Sequence, residues 1–231
     1  KITQDGVTLT GKAALDNVPL AARWEQSFEK KAAKTSKVVA QVQLTDKNLR
    51  QFGIDLPKNT VQGATPARVE ITLQKGTKPA FQVTSNLTGA RLSIPQLGWS
   101  KAKKTKGSFL LTGRFGAVVD IDKLSLKAAG LLAQGTLDLK RGGGLERARF
   151  SKVQVGKWLD TAAVMTPTGK NTSTIALNGG SADLRFWGSG QGGGKSTGNT
   201  TLKLSLDRVR ITNDLSLTSF AGNLTTKGGL R

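Results

Sequence analysis

Between residues 68 and 74 apolar and polar positions alternate without a break. Val69, Ile71 and Leu73 fall on one side of an extended chain, and Arg68, Glu70, Thr72 and Gln74 on the other. A period of two marks a strand with one face buried and one face wet. The same alternation recurs at 81–83, 91–94, 118–121, 136–139, 183–186 and 201–206. These runs predict a mainly β protein built on a long, twisted, mostly antiparallel repeat sheet, since antiparallel sheets tolerate one solvated face. The residues expected on its apolar face are Val69, Ile71, Leu73, Phe81, Val83, Leu92, Ile94, Val119, Ile121, Leu137, Leu139, Leu184, Phe186, Leu202 and Leu204.

The strands also repeat. IDKLSL from Ile121, FSKVQV from Phe150 and LDRVRI from Leu206 share one order: apolar, Asp or Ser, basic, apolar, polar, apolar. With Leu92 and Leu184 as looser members, the apolar-x-apolar units start at 92, 124, 153, 184 and 209, at intervals of 32, 29, 31 and 25. A period near that length accommodates a hairpin and its turns, and fixed periods signal stacked architectures. Two polar residues in succession break the alternation inside each unit. A β-bulge at Asp122-Lys123 and at Asp207-Arg208 would restore the phase and bend the strand.

Helical spacing is confined to a few places. Leu20, Trp24, Phe28 and Ala32 are four apart, behind Asp16 or Asn17 as N-cap and Pro19 in the first turn, which predicts a helix over 16–34. A shorter helix is expected at 45–53, capped by Thr45 or Asp46 and ended by Gly53, and a third at 156–165. The chain is thus expected to be one elongated unit, with a helical insertion at about 17–53 and repeat strands at about 61–231. Lacking an initiator Met and ending in KGGLR, it reads as a segment of a longer protein.

Composition changes the picture in two ways. Cys, His and Tyr are absent, which removes a structural zinc site, a thiol nucleophile and a Ser-His-Asp triad. Asp120 and Asp122 are the nearest approach to a paired carboxylate, and only their closeness in sequence supports it, so no enzyme and no cofactor are expected. The second change is charge. The 35 basic and 15 acidic residues leave a net +20, shared as +11 over residues 1–110 and +9 over 111–231. Such a field attracts phosphate on a lipid headgroup or on nucleic acid. Lys101, Lys103, Lys104 and Lys106 are its densest spot, either a solvated loop or an anion-contacting edge.

GSGQGGGKST, residues 188–197, invites a nucleotide-binding reading. A P-loop needs glycine five places before Gly194, where Ser189 stands. Gly188, Gly190 and Gly193 fit G-x-G-x-x-G only because glycine is so dense there. Both flanks read as strands, whereas either fingerprint opens a helix. The stretch is therefore expected to be a hairpin connection, with Lys195 as a mobile charge.

LTGARLSIPQLGW (87–99) and GLLAQGTLDL (130–139), within the longer run from VQGATPARVEITLQK onward, carry a resemblance. The chain resembles the AsmA-like proteins of Gram-negative envelopes, the YhdP and TamB branch. That resemblance implies a long sheet bent into an open, taco-like groove whose apolar concave face carries phospholipid acyl chains between inner and outer membranes. It implies a periplasmic location, an inner-membrane anchor outside this stretch, and neighbouring repeats as partners. Phospholipid and an anionic membrane surface become the expected partners, with Lys101, Lys103, Lys104, Lys106 and Lys195 as headgroup contacts. No catalytic residue is carried over, because the family has none.

Two other readings stand beside it. A polyanion-binding β module would suit the charge, but the four tryptophans and eight phenylalanines mostly share phase with leucines, and no RNP-like strand is present. No specific nucleic acid is therefore expected. A structural β-sandwich would fit the alternation equally well.

Overall fold

The computed structural model describes all residues except 16–17, 30–34, 52–55, 57–58, 95–96, 170–171, 188–198 and 228–231. Its strands, in chain order, are β1 (Gly6–Leu15), β2 (Val18–Ser27), β3 (Thr35–Leu44), β4 (Val61–Gly63), β5 (Thr65–Gln74), β6 (Ala80–Ser85), β7 (Ala90–Ile94) and β8 (Trp99–Lys101). There follow β9 (Gly107–Arg114), β10 (Asp120–Ala128), β11 (Leu131–Leu139), β12 (Leu145–Val155), β13 (Leu159–Gly169), β14 (Thr172–Asp183), β15 (Asn199–Arg210) and β16 (Ser216–Lys227). Thirteen of them form one sheet in the order β1-β2-β3-β5-β6-β9-β10-β11-β12-β13-β14-β15-β16, and β4-β7-β8 form a second, small one. The large sheet is a meander that is not closed: β1 and β16 are its two edges. The expected mainly β, mostly antiparallel open sheet is what the chain forms.

The helix expected over 16–34 is instead β2 at Val18–Ser27, paired along its length with β1 and over Ala21–Gln26 with β3, while 16–17 and 30–34 lie outside the described residues. Fourfold spacing and twofold spacing coincide at Leu20, Trp24 and Phe28, because every multiple of four is also a multiple of two. Alanines and glutamates then tipped propensity toward helix, and pairing to both neighbours overrode it. The helix expected at 156–165 is a turn leading into β13. The short helix near 45–53 is present as α1 (Asp46–Gln51), where Thr45 Oγ1 accepts from Asn48 N–H as an N-cap should.

The repeat is a line of bulges. The ladders slip at Asp122-Lys123 in β10, at Ser151-Lys152 in β12 and at Gly179-Gly180 in β14, which is every second strand of the C-terminal half. The expected bulge at Asp207-Arg208 takes another form. β15 and β16 stay in register past it, and the distortion is shared with Ser219 opposite, whose φ is 51°. Asp207 and Gly180 are joined directly, the carboxylate accepting from Gly180 N–H at 2.7 Å. Gly180 sits at φ 75° with Asp160 O against the place a Cβ would occupy, so only glycine fits. Bulges aligned on every second strand bend the sheet along one crease.

One connection differs in kind. β14 and β15 pair in parallel, from Thr172 beside Asn199 to Asp183 beside Arg210. The link between them is therefore a crossover and not the expected hairpin, since parallel neighbours cannot be joined by a tight turn. The glycine run with Lys195 lies outside the described residues.

Candidate functional site

Residues paired directly across a ladder point to the same face, so the register traces each face from strand to strand. One face runs Leu9–Trp24–Val38–Ile71–Phe81 and Ala40–Val69–Val83–Leu111–Leu124 over β1 to β10. It continues as Leu126–Ala133–Val153 and Ile121–Leu137–Ala148–Met165–Ile175–Leu202–Leu224 over β10 to β16. The opposite face carries the ion pairs: Lys37 and Arg68 with Glu70, Arg149 with Asp138, and Lys152 with Asp160. Glu70 receives hydrogen bonds from Lys37 and Arg68, and these hold its carboxyl below the usual carboxylate range.

The apolar face is only partly covered. The small sheet lies over one end of β9 to β16, where Leu87, Ala90, Leu92 and Trp99 join Leu131, Val153, Val155, Leu159, Leu177 and Val209 in a buried cluster. Trp99 fixes that contact, buried and donating Nε1–H to Ala129 O at 2.9 Å. Beyond this cover Ala40, Ala67, Phe81, Ile121 and Ala148 are buried, while Val38, Val69, Ile71, Leu73, Val83, Leu111, Leu137, Leu139 and Met165 are half-buried. Along the crease runs an open depression of about 530 Å³, lined by Lys123, Leu124, Gly135, Phe150, Ala163 and their neighbours.

Most residues expected to share this face do so. Val69, Ile71, Leu73, Phe81, Val83, Ile121, Leu137, Leu139, Leu202 and Leu204 all lie on it. Phe81 is buried because Gly113 opposite leaves room: a Cβ there would fall 2.8 Å from the Phe81 ring, which also meets Phe115 at 4.7 Å between centroids. Leu92 and Ile94 belong to the covering sheet instead. Val119 precedes β10 and is not in a strand. Residues 184–186 form a 3₁₀ turn and not a strand, with Leu184 against the buried cluster and Phe186 exposed.

Among the expected headgroup lysines, Lys101 is corrected. It is buried, and its ammonium donates to Leu87 O, Ala90 O and Ala102 O at 2.7, 2.9 and 3.0 Å; burial pushes its pKa down. It ties the small sheet to the turn before it and meets no solvent anion. Lys103, Lys104 and Lys106 are exposed beside it. Sequence reading missed Trp24, Val38, Leu111, Leu124, Phe150, Met165 and Ile175 on the apolar face. The twofold phase of β2 and β13 was masked by alanine-rich, helix-like composition, and the phase of β12 changes at its bulge.

No helix among the described residues is long and apolar enough to cross a membrane. Neither a protein-family model nor a curated protein nor a solved structure matches the chain.

Proposed function

We propose that this chain is a segment of an AsmA-like envelope protein that holds phospholipid acyl chains on the apolar face of its open sheet. It would shield them on their way between inner and outer membranes, within a periplasmic, inner-membrane-anchored protein whose further repeats extend the face. The observation that carries this reading is an apolar face continuous over thirteen strands of a sheet that is not closed, with many of its side chains, Val38, Val69, Ile71 and Val83 among them, only half-buried outside the small sheet's cover. Water is a poor cover for such a surface, and each CH₂ it releases contributes about 0.8 kcal/mol. An acyl chain supplies many such groups with no single dominant contact, so it is held yet free to slide. The exposed Lys103, Lys104 and Lys106 supply charge for the headgroup phosphate.

The test is extraction and mass spectrometry of lipid from protein purified out of Gram-negative cells. Phospholipid is expected with the unaltered chain and lost in Ile71→Glu or Val83→Glu, while Thr72→Glu, on the opposite face, retains it. No lipid with any variant, or equal loss from both faces, would sink the reading.

A further inference from the structure

The ends of β13 to β16 meet at a corner unlike the rest of the surface. Among the described residues, five of the eleven exposed large apolar side chains fall there: Phe186, Trp187, Ile211, Leu215 and Leu217. The corner is built rather than loose. Asp183 N–H donates to Trp158 O at 2.6 Å, the Trp158 and Trp187 rings stack at 5.4 Å, and Ile211 N–H donates to Leu215 O at 2.9 Å. Arg185 is gripped by Asp183 through two hydrogen bonds of 2.8 and 2.6 Å and reaches Asn213 of the neighbouring turn. Cations interleave with the rings: the Lys157 ammonium lies 6.0 Å and the Arg185 guanidinium 5.3 Å from the centre of the Phe186 ring. Arg210 donates to Asn213 O at 3.0 Å.

We infer that this corner is a docking lip for a phospholipid bilayer with an anionic surface. Tips of chain turns are ordinarily polar, and here Trp187, Ile211 and Leu215 stand 42%, 37% and 49% exposed. A tryptophan with an apolar body and a polar edge, flanked by lysine and arginine, suits the boundary between headgroup and acyl chain. At the corner itself Lys157, Arg185 and Arg210 are accompanied by Asp183 and Asp214, so the occupant follows from the whole chain's charge: it carries +20, and a field of that sign drives it toward an anionic leaflet before the apolar tips engage. The lip holds whether or not the apolar face of the sheet carries acyl chains.

Flotation of the whole chain with vesicles tests it. Binding is expected to phosphatidylcholine vesicles containing phosphatidylglycerol and to be much weaker for phosphatidylcholine alone, with quenching of tryptophan fluorescence by brominated acyl chains. Because the charged body alone attracts anions, the decisive comparison is made at raised salt, where screening leaves the apolar contribution. There the double variant Trp187→Ser, Leu215→Ser is expected to bind at least about tenfold more weakly, a difference near 1.4 kcal/mol. Leu215 is exposed and Trp187 gives up only its stack on Trp158, so the melting temperature is expected to fall by no more than about 2–4 °C, with the fold retained. Equal vesicle binding by variant and parent, absence of quenching, or failure of the parent to bind anionic vesicles would each overturn the lip. Vesicle binding and co-purifying lipid are separate readouts, so the lip and the lipid-carrying face can fail independently.

Discussion

Two halves of the large sheet follow the same alternation and end up in different physical states. Strands β9 to β16 place Leu131, Val153, Val155, Leu159, Leu177, Leu206 and Val209 in one buried cluster, because the small sheet lies on them. None of the described residues of β1, β2, β3, β5 or β6 joins that cluster. Their buried apolar members are Val18, Ala40, Val42, Ala67 and a single large ring, Phe81, while Val38, Val69, Ile71, Leu73 and Val83 stay half-buried. Alternation therefore decides which face is apolar, and a covering layer decides whether that face is dry. A half-exposed apolar face is where a mobile apolar ligand can act as the missing layer.

The largest expected effect lies in the covered half. Trp99→Ala removes the ring that seats the small sheet and the Ala129 hydrogen bond, and should cost about 3–5 kcal/mol in denaturant unfolding. Val83→Ala, in the uncovered half, should cost less than about 1.5 kcal/mol, since a half-exposed site leaves little cavity. Equal losses at the two sites would break the comparison. Next comes the crease. Gly180→Ala must place a Cβ against Asp160 O at positive φ, and should destabilise by about 1–3 kcal/mol by the same measurement.

Lys101→Met tests the junction between the two sheets. It leaves the carbonyls of Leu87, Ala90 and Ala102 without their ammonium donor, so a loss of about 1–3 kcal/mol is expected. A gain in stability would mean instead that burying the charge costs more than its three hydrogen bonds return.

The smallest effect is a pH dependence on the uncovered half. The folded-state pKa of Glu70 lies below its ordinary value of 4.5, chiefly through its hydrogen bond from Lys37 and then that from Arg68. Its stabilising contribution is therefore fully present above that ordinary value and is lost as pH falls through the lower folded-state value. As a surface ion pair it should contribute less than about 1 kcal/mol and weaken with salt. Glu70→Gln should flatten that part of the acid-unfolding curve, and a curve identical to the parent's would remove Glu70 from the account.

Much of the architecture was legible in the chain. The strict alternation at 68–74 named both faces of β5, and the IDKLSL unit located the bulge of β10, because a strand can absorb paired polar residues only by slipping register; the slip at Ser151-Lys152 in the FSKVQV unit was not singled out, and Asp207-Arg208 kept its register. Ten of the fifteen expected apolar-face residues follow from that phase alone. The errors have physical causes as well. Leu20 and Trp24 satisfy both periods, so only the pairing of β2 with β1 and β3 could decide for a strand, and Phe28, the next in the fourfold series, falls just past its end. Leu92 and Ile94 alternate like the others, but their strand left the meander for the covering sheet. Lys101 and Lys103 are indistinguishable as letters, and the fold buries one and exposes the other.

By itself, then, the sequence determined a one-sided β sheet with a periodic crease and a strongly cationic body, because side-chain period, bulge placement and charge are local or additive properties. Only the tertiary structure decided that β14 and β15 run parallel, that β4, β7 and β8 cover one end of the apolar face, and that Trp158, Trp187, Ile211 and Leu215 converge on one corner. Those outcomes depend on contacts between residues tens of positions apart, where the gain from burial is weighed over the whole chain and no short stretch carries the answer.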